Sequence, residues 1–450
     1  MLRISAENEK FKYDLSELAK MFLTADEFVM DVRDDGETHP EPDLFVPGDI
    51  SKNDQKRMLY EFLSQKTGKF LDWGILTGVR PSKLYRELTA QGKETEKVLK
   101  EDYFVSDGKL SLLRNVYATQ QQASLNMDPN AVGIYVGIPF CPTRCLYCSF
   151  TSNKITKKAA SAYMDALVKE IWAVKKLMDE RGMYVDSIYI GGGTPTSLDD
   201  GDFETLLKNV SEAFKGSKTV EFTVEGGRPD TITENKLFLV RKYGADRISI
   251  NPQTMKQHTL DLIGRSHTPE QIIDAFAIAK ASGIPVINAD LITGLPEEEP
   301  EDFRKSLDSI IDLGPSNITV HTLAVKKASR LIEQDRDYNF RYAQAVREML
   351  DYASQTLAEN GYAPYYMYRQ KHMAGNFENV GYCKKGTASV YNIKIMEENQ
   401  TILALGAGGI SKQYFPAENR LERVANVSNY EQYIDRIDEM IQRKVEGIVL

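Results

Sequence analysis

Histidine is scarce in this chain. There are five in 450 residues, and no two stand at the spacing of a metal-binding pair. No histidine motif for a metal centre is present, and His39, His258, His267, His321 and His372 read by default as structural or solvated residues. Cysteine is scarce too, with four in all, which is too few for a disulfide scaffold and fits a reducing compartment. No apolar run approaches the ~20 residues that span a bilayer. The opening, Met1 to Leu15, is too polar for an export signal, so the expected location is cytoplasmic with no membrane span. Positive charge is in deficit, with 56 Lys and Arg against 65 Asp and Glu for a net charge of −9. A field of that sign repels nucleic acid, although it leaves room for a local basic pocket. No internal repeat is present. The remaining composition, 42% hydrophobic and 27% charged, is ordinary for two or three globular domains with real cores.

What is present is concentrated in Gly133 to Phe150. An apolar run, Ile134 to Ile138, reads as a buried strand that stops at Pro139, which has no N–H to continue a ladder. Cys141, Cys145 and Cys148 follow as C-x3-C-x2-C, so three of the four cysteines fall within eight residues. Thiolates so close on a loop can converge on one metal centre. A closed [4Fe–4S] cluster or a structural zinc takes four protein ligands. Three thiolates on a cubane leave one iron open to a small molecule. Zinc would need a fourth ligand, and Cys383, the remaining thiol, lies far along the chain and reads as a buried residue. A disulfide would need an oxidising compartment.

Residues 1 to 125 read as a small α/β-plus-helix appendage. Leu15, Leu18, Met21 and Phe22 approach helical spacing, 33 to 48 reads as a loop, and 51 to 122 reads as helical, with Pro81 opening one helix. Arg80, just before it, reads as a solvated or capping residue ahead of a carboxylate clamp. From 126 to 330 strands and helices alternate. Strand-like runs are Ile134–Ile138, Ser187–Ile190, Val220–Val224, Arg247–Ile250, Pro285–Ile292 and Ile318–Leu323. Between the first two, Tyr163, Leu167, Ile171, Val174 and Met178 make one apolar helix face ending at Gly182. Short β-branched strands alternating with helices predict an α/β fold, a partial (β/α)6 barrel with function at the C-terminal strand ends. Residues 331 to 450 read as a C-terminal α+β extension that closes the open side. Its elements are a helix over 336 to 360, strands at Ala363–Tyr368, Ser389–Ile395 and Ile402–Leu405, and a helix over 428 to 443.

Polar residues fall where barrel strands end: the run Gly191 to Pro195, then Glu225, Gln253 and Asp290, with Arg265 in Gly-Arg-Ser-His. Glycines allow close backbone approach to a ligand and expose N–H groups. The cysteine spacing, with Tyr147 before the last Cys, resembles the radical S-adenosylmethionine (SAM) superfamily. Tyr135-Val-Gly-Ile-Pro-Phe-Cys and Gly191-Gly-Gly-Thr-Pro-Thr196 narrow the resemblance to the oxygen-independent coproporphyrinogen III oxidase (dehydrogenase) family. Gly137 and Trp73-Gly-Ile-Leu-Thr-Gly-Val-Arg-Pro81 resemble its HemZ-like branch.

The resemblance implies a radical SAM partial barrel. Cys141, Cys145 and Cys148 would hold a [4Fe–4S] cluster, and S-adenosyl-L-methionine would bind its open iron. Gly192, Gly193 and Thr194 match residues that hold the methionine amino group, and Glu225 one that accepts ribose hydroxyls. Gln253, Arg265 and Asp290 match polar residues lining the SAM sites, Ala324 a residue meeting adenine, and Ile410 a residue near a second SAM. Tyr135 and Tyr147 match aromatic positions beside the first. The implied activity is oxidative decarboxylation of two propionates of coproporphyrinogen III to vinyl groups, giving protoporphyrinogen IX for anaerobic haem biosynthesis. A reductant such as flavodoxin or ferredoxin would supply the electron. Alternatives within the resemblance are a haem-binding chaperone and a radical SAM methyltransferase acting on haem or a related macrocycle. A four-carboxylate substrate asks for cations, and Lys326, Arg330, Arg369 and Lys371 are the candidates. The founding branch has His where Gly137 stands and a fourth Cys where Phe150 stands, and the family usually has Asp-Pro-Arg where Gly226-Gly227-Arg228 follows Glu225.

Overall fold

The computed structural model describes residues 1–24, 26–33, 40–78, 80–123, 125–148, 153–324, 342–370 and 374–449. Lys326, Arg330, Lys371, Phe150, His39, His372 and the first turns expected of a helix from 336 lie outside the described residues.

The N-terminal strands β1 (Leu2–Ala6), β2 (Phe28–Val32) and β3 (Leu44–Val46) form a parallel sheet in the order β2-β1-β3. Helices Lys12–Ala19 and Lys52–Thr67 pack on it around Ile4, Leu15, Leu18, Phe22, Leu59 and Leu63. The 33 to 48 stretch, read as a loop, therefore contains a strand. Leu44-Phe45-Val46 is a short β-forming run that gains an edge by pairing with Ile4 to Ala6. Helices Pro81–Ala90, Thr95–Glu101 and Asp107–Gln122 instead bury Tyr85, Leu88, Leu99, Leu113 and Val116 in the large core of the central sheet.

That sheet begins with β4 (Ala131–Ile138), which stops ahead of Pro139. Two short strands, β5 (Phe140–Cys141) and β6 (Asn153–Lys154), then pair with each other around the cysteine loop. The series continues with β7 (Tyr184–Gly192), β8 (Glu221–Gly227), β9 (Arg247–Gln253), β10 (Val286–Thr293) and β11 (Asn317–Thr322). β4, β7, β8, β9, β10 and β11 lie side by side, all parallel, in chain order. Each crossover carries a helix, as parallel pairing requires. The first, Lys157–Glu180, is capped by the Thr156 side chain and buries Tyr163, Leu167, Ile171 and Val174. It ends before Gly182, whose φ of +63° is left-handed.

The C-terminal residues extend both edges. After helix Ala343–Glu359, β12 (Ala363–Tyr368) and β13 (Asn379–Cys383) add antiparallel strands beyond β11. β14 (Thr401–Leu405) lies parallel beside β4, followed by antiparallel β15 (Ile410–Phe415) and β16 (Arg420–Ala425). Ser389–Ile395, expected as a strand, is helical: Val390–Glu397. It buries Tyr391 and Ile393, and the Ser389 side chain caps the first turn. The last expected helix is two, Tyr430–Asp435 and Ile437–Gly447, separated at Arg436.

Candidate active site

A cavity of about 570 Å³ opens at the C-terminal ends of the parallel strands, within the usual size of a small-molecule site. Cys141, Cys145 and Cys148 line it together. Among the described residues no three His, Cys, Asp or Glu side chains are close enough to share a single ion. The cysteine loop is pinned from several sides. Leu146 N donates to Ile263 O at 3.0 Å, Cys148 N to Cys145 O at 3.2 Å, and Thr143 Oγ1 to Gly264 O at 3.0 Å. Arg228 donates to the Thr143 hydroxyl, to Ser266 Oγ at 2.6 Å, and through Nε and Nη2 to Asp230 at 3.0 and 2.9 Å. Arg228 thus ties the loop to the end of β8. Cys141 is held high in pKa by burial, which the Thr194 hydroxyl, donating to its sulfur at 3.5 Å, partly offsets.

The glycine run packs against the loop's first residues. Gly193 N donates to Ile138 O and Thr194 N to Phe140 O, both at 2.7 Å, and Gly192 N to Glu225 Oε2 at 3.2 Å. A Cβ on Gly193 would lie 2.4 Å from Phe140 O and 2.9 Å from Cys141 Sγ, so only glycine fits there. The expectation of exposed N–H groups is corrected. These three amides are engaged, so the backbone of the run can offer a ligand acceptors only, which suits an amino group.

Glu225 ends inside the cavity. Its Oε1 accepts from Tyr189 OH. Burial pushes its carboxyl up to about 7, with Asp290 adding to the rise while the Tyr189 and Gly192 bonds oppose it. Gln253 sits at φ +71°, and its buried Oε1 has no hydrogen-bond partner among the described residues. Arg265 donates to Asn251 O at 3.1 Å and to Tyr147 OH at 3.2 Å, and its buried Nε has no partner among the described residues. Asp290 accepts from Asn288 Nδ2 at 2.8 Å and faces His321 Nε2 at 3.7 Å. Tyr135 and Ala324 also line the cavity.

Ile410 does not. It opens β15 with 48% of its surface exposed, because the hairpin to β16 turns it outward. Arg369, expected to face the substrate, points elsewhere. It donates to Asn376 O and Leu76 O and stacks on Trp73 at 5.3 Å. Cys383 is buried in β13, with its thiol pushed up to about 12 by burial.

Several lining residues escaped the sequence reading. His321, read as structural, faces the cavity with Tyr368 OH 3.4 Å from its Nδ1. Tyr189 stacks on Tyr391 at 4.7 Å and on Tyr135 at 6.3 Å, and Tyr366 and Tyr368 continue the aromatic wall. The period-2 exposure of Tyr189 beside the glycine run was a usable signal. Tyr391 offers none, since its stretch reads as a strand and folds as a helix.

Three thiols at one end, a cradle that a single Cβ would fill, and buried unpartnered atoms on Gln253 and Arg265 fit a thiolate-bound cluster with a polar organic ligand beside it. The comparisons agree. Residues 135–310 match the radical SAM superfamily, whose members use a [4Fe–4S] cluster and SAM. The chain is 39% identical to the oxygen-independent coproporphyrinogen-III oxidase-like protein HemZ of Bacillus subtilis, over 88% of this chain and 80% of the relative. It is 28% identical to the heme chaperone HemW of Lactococcus lactis, over 62% of this chain and 69% of the relative. Among solved structures, the coproporphyrinogen III oxidase HemN of Escherichia coli aligns with a TM-score of 0.57 at 22% identity, covering 72% of this chain and 73% of that one. The chain belongs to the radical SAM superfamily, in the HemZ-like branch of the oxygen-independent coproporphyrinogen III oxidase family.

Proposed function

We propose that the chain oxidatively decarboxylates propionate side chains of coproporphyrinogen III, giving protoporphyrinogen IX. The observation that carries this reading is the sharing of one cavity by three cysteines, the strand-end residues and a wall of tyrosines. When bound, the cluster and SAM supply one-electron chemistry able to take hydrogen from an unactivated carbon. In this reading Cys141, Cys145 and Cys148 hold the cluster, and Gly192, Gly193 and Thr194 orient the amino group of SAM. Glu225 accepts the ribose hydroxyls. Gln253, Arg265 and Asp290 complete the polar lining, and Ala324, Tyr135 and Tyr147 shape the apolar part. The aromatic wall of Tyr189, Tyr366, Tyr368 and Tyr391 offers a tetrapyrrole flat contact and sheds water. The electron comes from a reductant protein such as flavodoxin or ferredoxin.

A second reading, haem binding without turnover, is favoured by the heme chaperones among the relatives and by Gly137, where the founding branch has histidine. The two separate in one experiment. Anaerobically reconstituted full chain is given reductant, SAM, coproporphyrinogen III and a one-electron acceptor, which takes the electron left when each propionate loses a hydrogen atom and carbon dioxide. Carbon dioxide and protoporphyrinogen are expected, with two molecules of 5′-deoxyadenosine for each product. Stoichiometric haem uptake in a Soret titration, with no decarboxylation, would sink the first reading and support the second.

A further inference from the structure

Beyond the end of helix Val390–Glu397, four cations converge on one carboxylate. Glu398 is 8% exposed. It meets Arg80 Nη1 at 3.1 Å, Lys83 Nζ and Arg423 Nη2 at 3.4 Å each, and Lys412 Nζ at 3.8 Å. All four are longer than the ~2.7–2.9 Å of a charge-assisted bond made without competition. Neighbouring acids do not restore the balance. Glu397 is paired with Arg86, Glu418 and Glu422 share Arg420, and Glu87 accepts from the uncharged Asn419, so six cations still face five acids. In a chain of net charge −9 this leaves a local surplus of positive charge.

Two further observations point to a missing anion. Lys412 and Arg423 are direct cross-strand partners on β15 and β16, and like charges in that register repel. Arg80 Nε is buried with no hydrogen-bond partner among the described residues. Burial and the neighbouring Arg80 press the Lys412 ammonium down to about 8, which an arriving anion would reverse. The donors come from three directions: the start of helix Pro81–Ala90, β15 and β16. A planar carboxylate is satisfied by one guanidinium fork, whereas a tetrahedral oxyanion uses donors spread in space.

We propose that Arg80, Lys83, Lys412 and Arg423 form a binding site for a phosphate-class oxyanion, seated beside Glu398. Arg423 side-chain exposure of 56% leaves the site a solvent entry. The site is separate from the cysteine-lined cavity, although Ile395 and Met396 of the adjoining helix line that cavity.

The test is calorimetric titration of the full chain, cluster reconstituted, with inorganic phosphate and pyrophosphate at constant ionic strength, and with citrate as the carboxylate arm. Pyrophosphate should bind. Lys412→Met and Arg423→Gln should each weaken it by about tenfold, the loss of one charge-assisted contact. Glu398→Gln should tighten it several-fold, because it removes the competing carboxylate. A purely structural ion network predicts the reverse for Glu398→Gln, a less stable chain with no gain in affinity, and that result would overturn the proposal. So would affinity unchanged in Arg423→Gln, whose exposed side chain the fold can lose, or no binding heat in the unaltered chain. Citrate binding as tightly as pyrophosphate would overturn the phosphate assignment.

Discussion

Glu225 is a carboxylate whose charge the surrounding protein barely tolerates. Its pKa of about 7 arises first from burial, so the proposed ribose contact, which needs the ionised form, strengthens with pH. From pH 6 to 8 the ionised fraction rises from about a tenth to about nine-tenths, so SAM affinity should climb roughly tenfold. Glu225→Gln should bind weakly at both ends with no slope, and an equal slope in the variant would sink the assignment. The stability sign is opposite. A carboxyl raised above its ordinary 4.5 stabilises the fold most below that value, and the contribution is lost as pH rises towards about 7. Arg228 belongs to the same scale. Its bonds to Thr143, Ser266 and Asp230 hold the cysteine loop against β8, so Arg228→Ala should lower iron per chain after reconstitution by more than half. Iron content equal to that of the unaltered chain would mean that the loop stands without it. The strand-end positions of Glu225, Gln253 and Asp290 were legible, because each follows an apolar run at a fixed place in a βα unit. Arg228 was not, since Thr143 and Ser266 lie 85 and 38 residues away and only the fold joins them to it.

Helix Val390–Glu397 shows how an element can be misread and why. Val390, Tyr391, Ile393 and Ile395 are strand-formers, and the stretch is too short for helical periodicity to outweigh them. Tertiary structure decides instead. Ser389 Oγ accepts from Asn392 N at 3.2 Å and donates to Glu221 Oε1 at 2.8 Å, while Val390 N donates to Glu221 Oε2 at 2.6 Å. A buried carboxylate at a helix N-terminus is favourable for both the dipole and the unpaired amides. Glu221 comes from the start of β8, so a barrel strand fixes a helix that walls the cavity with Tyr391 and Met396. Ser389→Ala removes the cap and one of the donors to Glu221. It should cost about 2 kcal/mol in urea unfolding, more than an ordinary cap. A loss below about half that would show that packing alone sets the helix. The six parallel strands were legible for the opposite reason: each is a β-branched run bounded by turn residues, and local propensity and tertiary environment agree.

At the scale of the whole molecule, a buried charge pair joins the first crossover helix to the C-terminal residues. Glu170, on the first crossover helix, is fully buried and accepts from four donors. These are Gly406 N at 2.8 Å, Tyr433 OH at 2.6 Å, Asn426 Nδ2 at 2.9 Å and Lys444 Nζ at 2.6 Å. Two turns earlier on the same face, Tyr163 donates to Gly137 O at 2.6 Å and accepts from Ala407 N at 2.9 Å. The helix Ile437–Gly447, the Gly406 turn and the end of β4 just ahead of the cysteines are thus held as one polar unit. Its members lie up to 274 residues apart, so nothing local in the sequence announces it. Removing only Lys444 leaves a buried carboxylate short of its cation. Lys444→Met should therefore cost about 3–5 kcal/mol. Removing both charges, Glu170→Gln with Lys444→Met, should cost less than the two single losses added, with a coupling of at least ~1 kcal/mol. The same double cycle read on iron content tests the link to the cysteine loop: retention should follow stability if Tyr163 and the Gly406 turn transmit the disturbance to Gly137. Additive stability losses, with iron retained throughout, would mean that the C-terminal helix merely leans on the barrel and takes no part in setting the cluster loop.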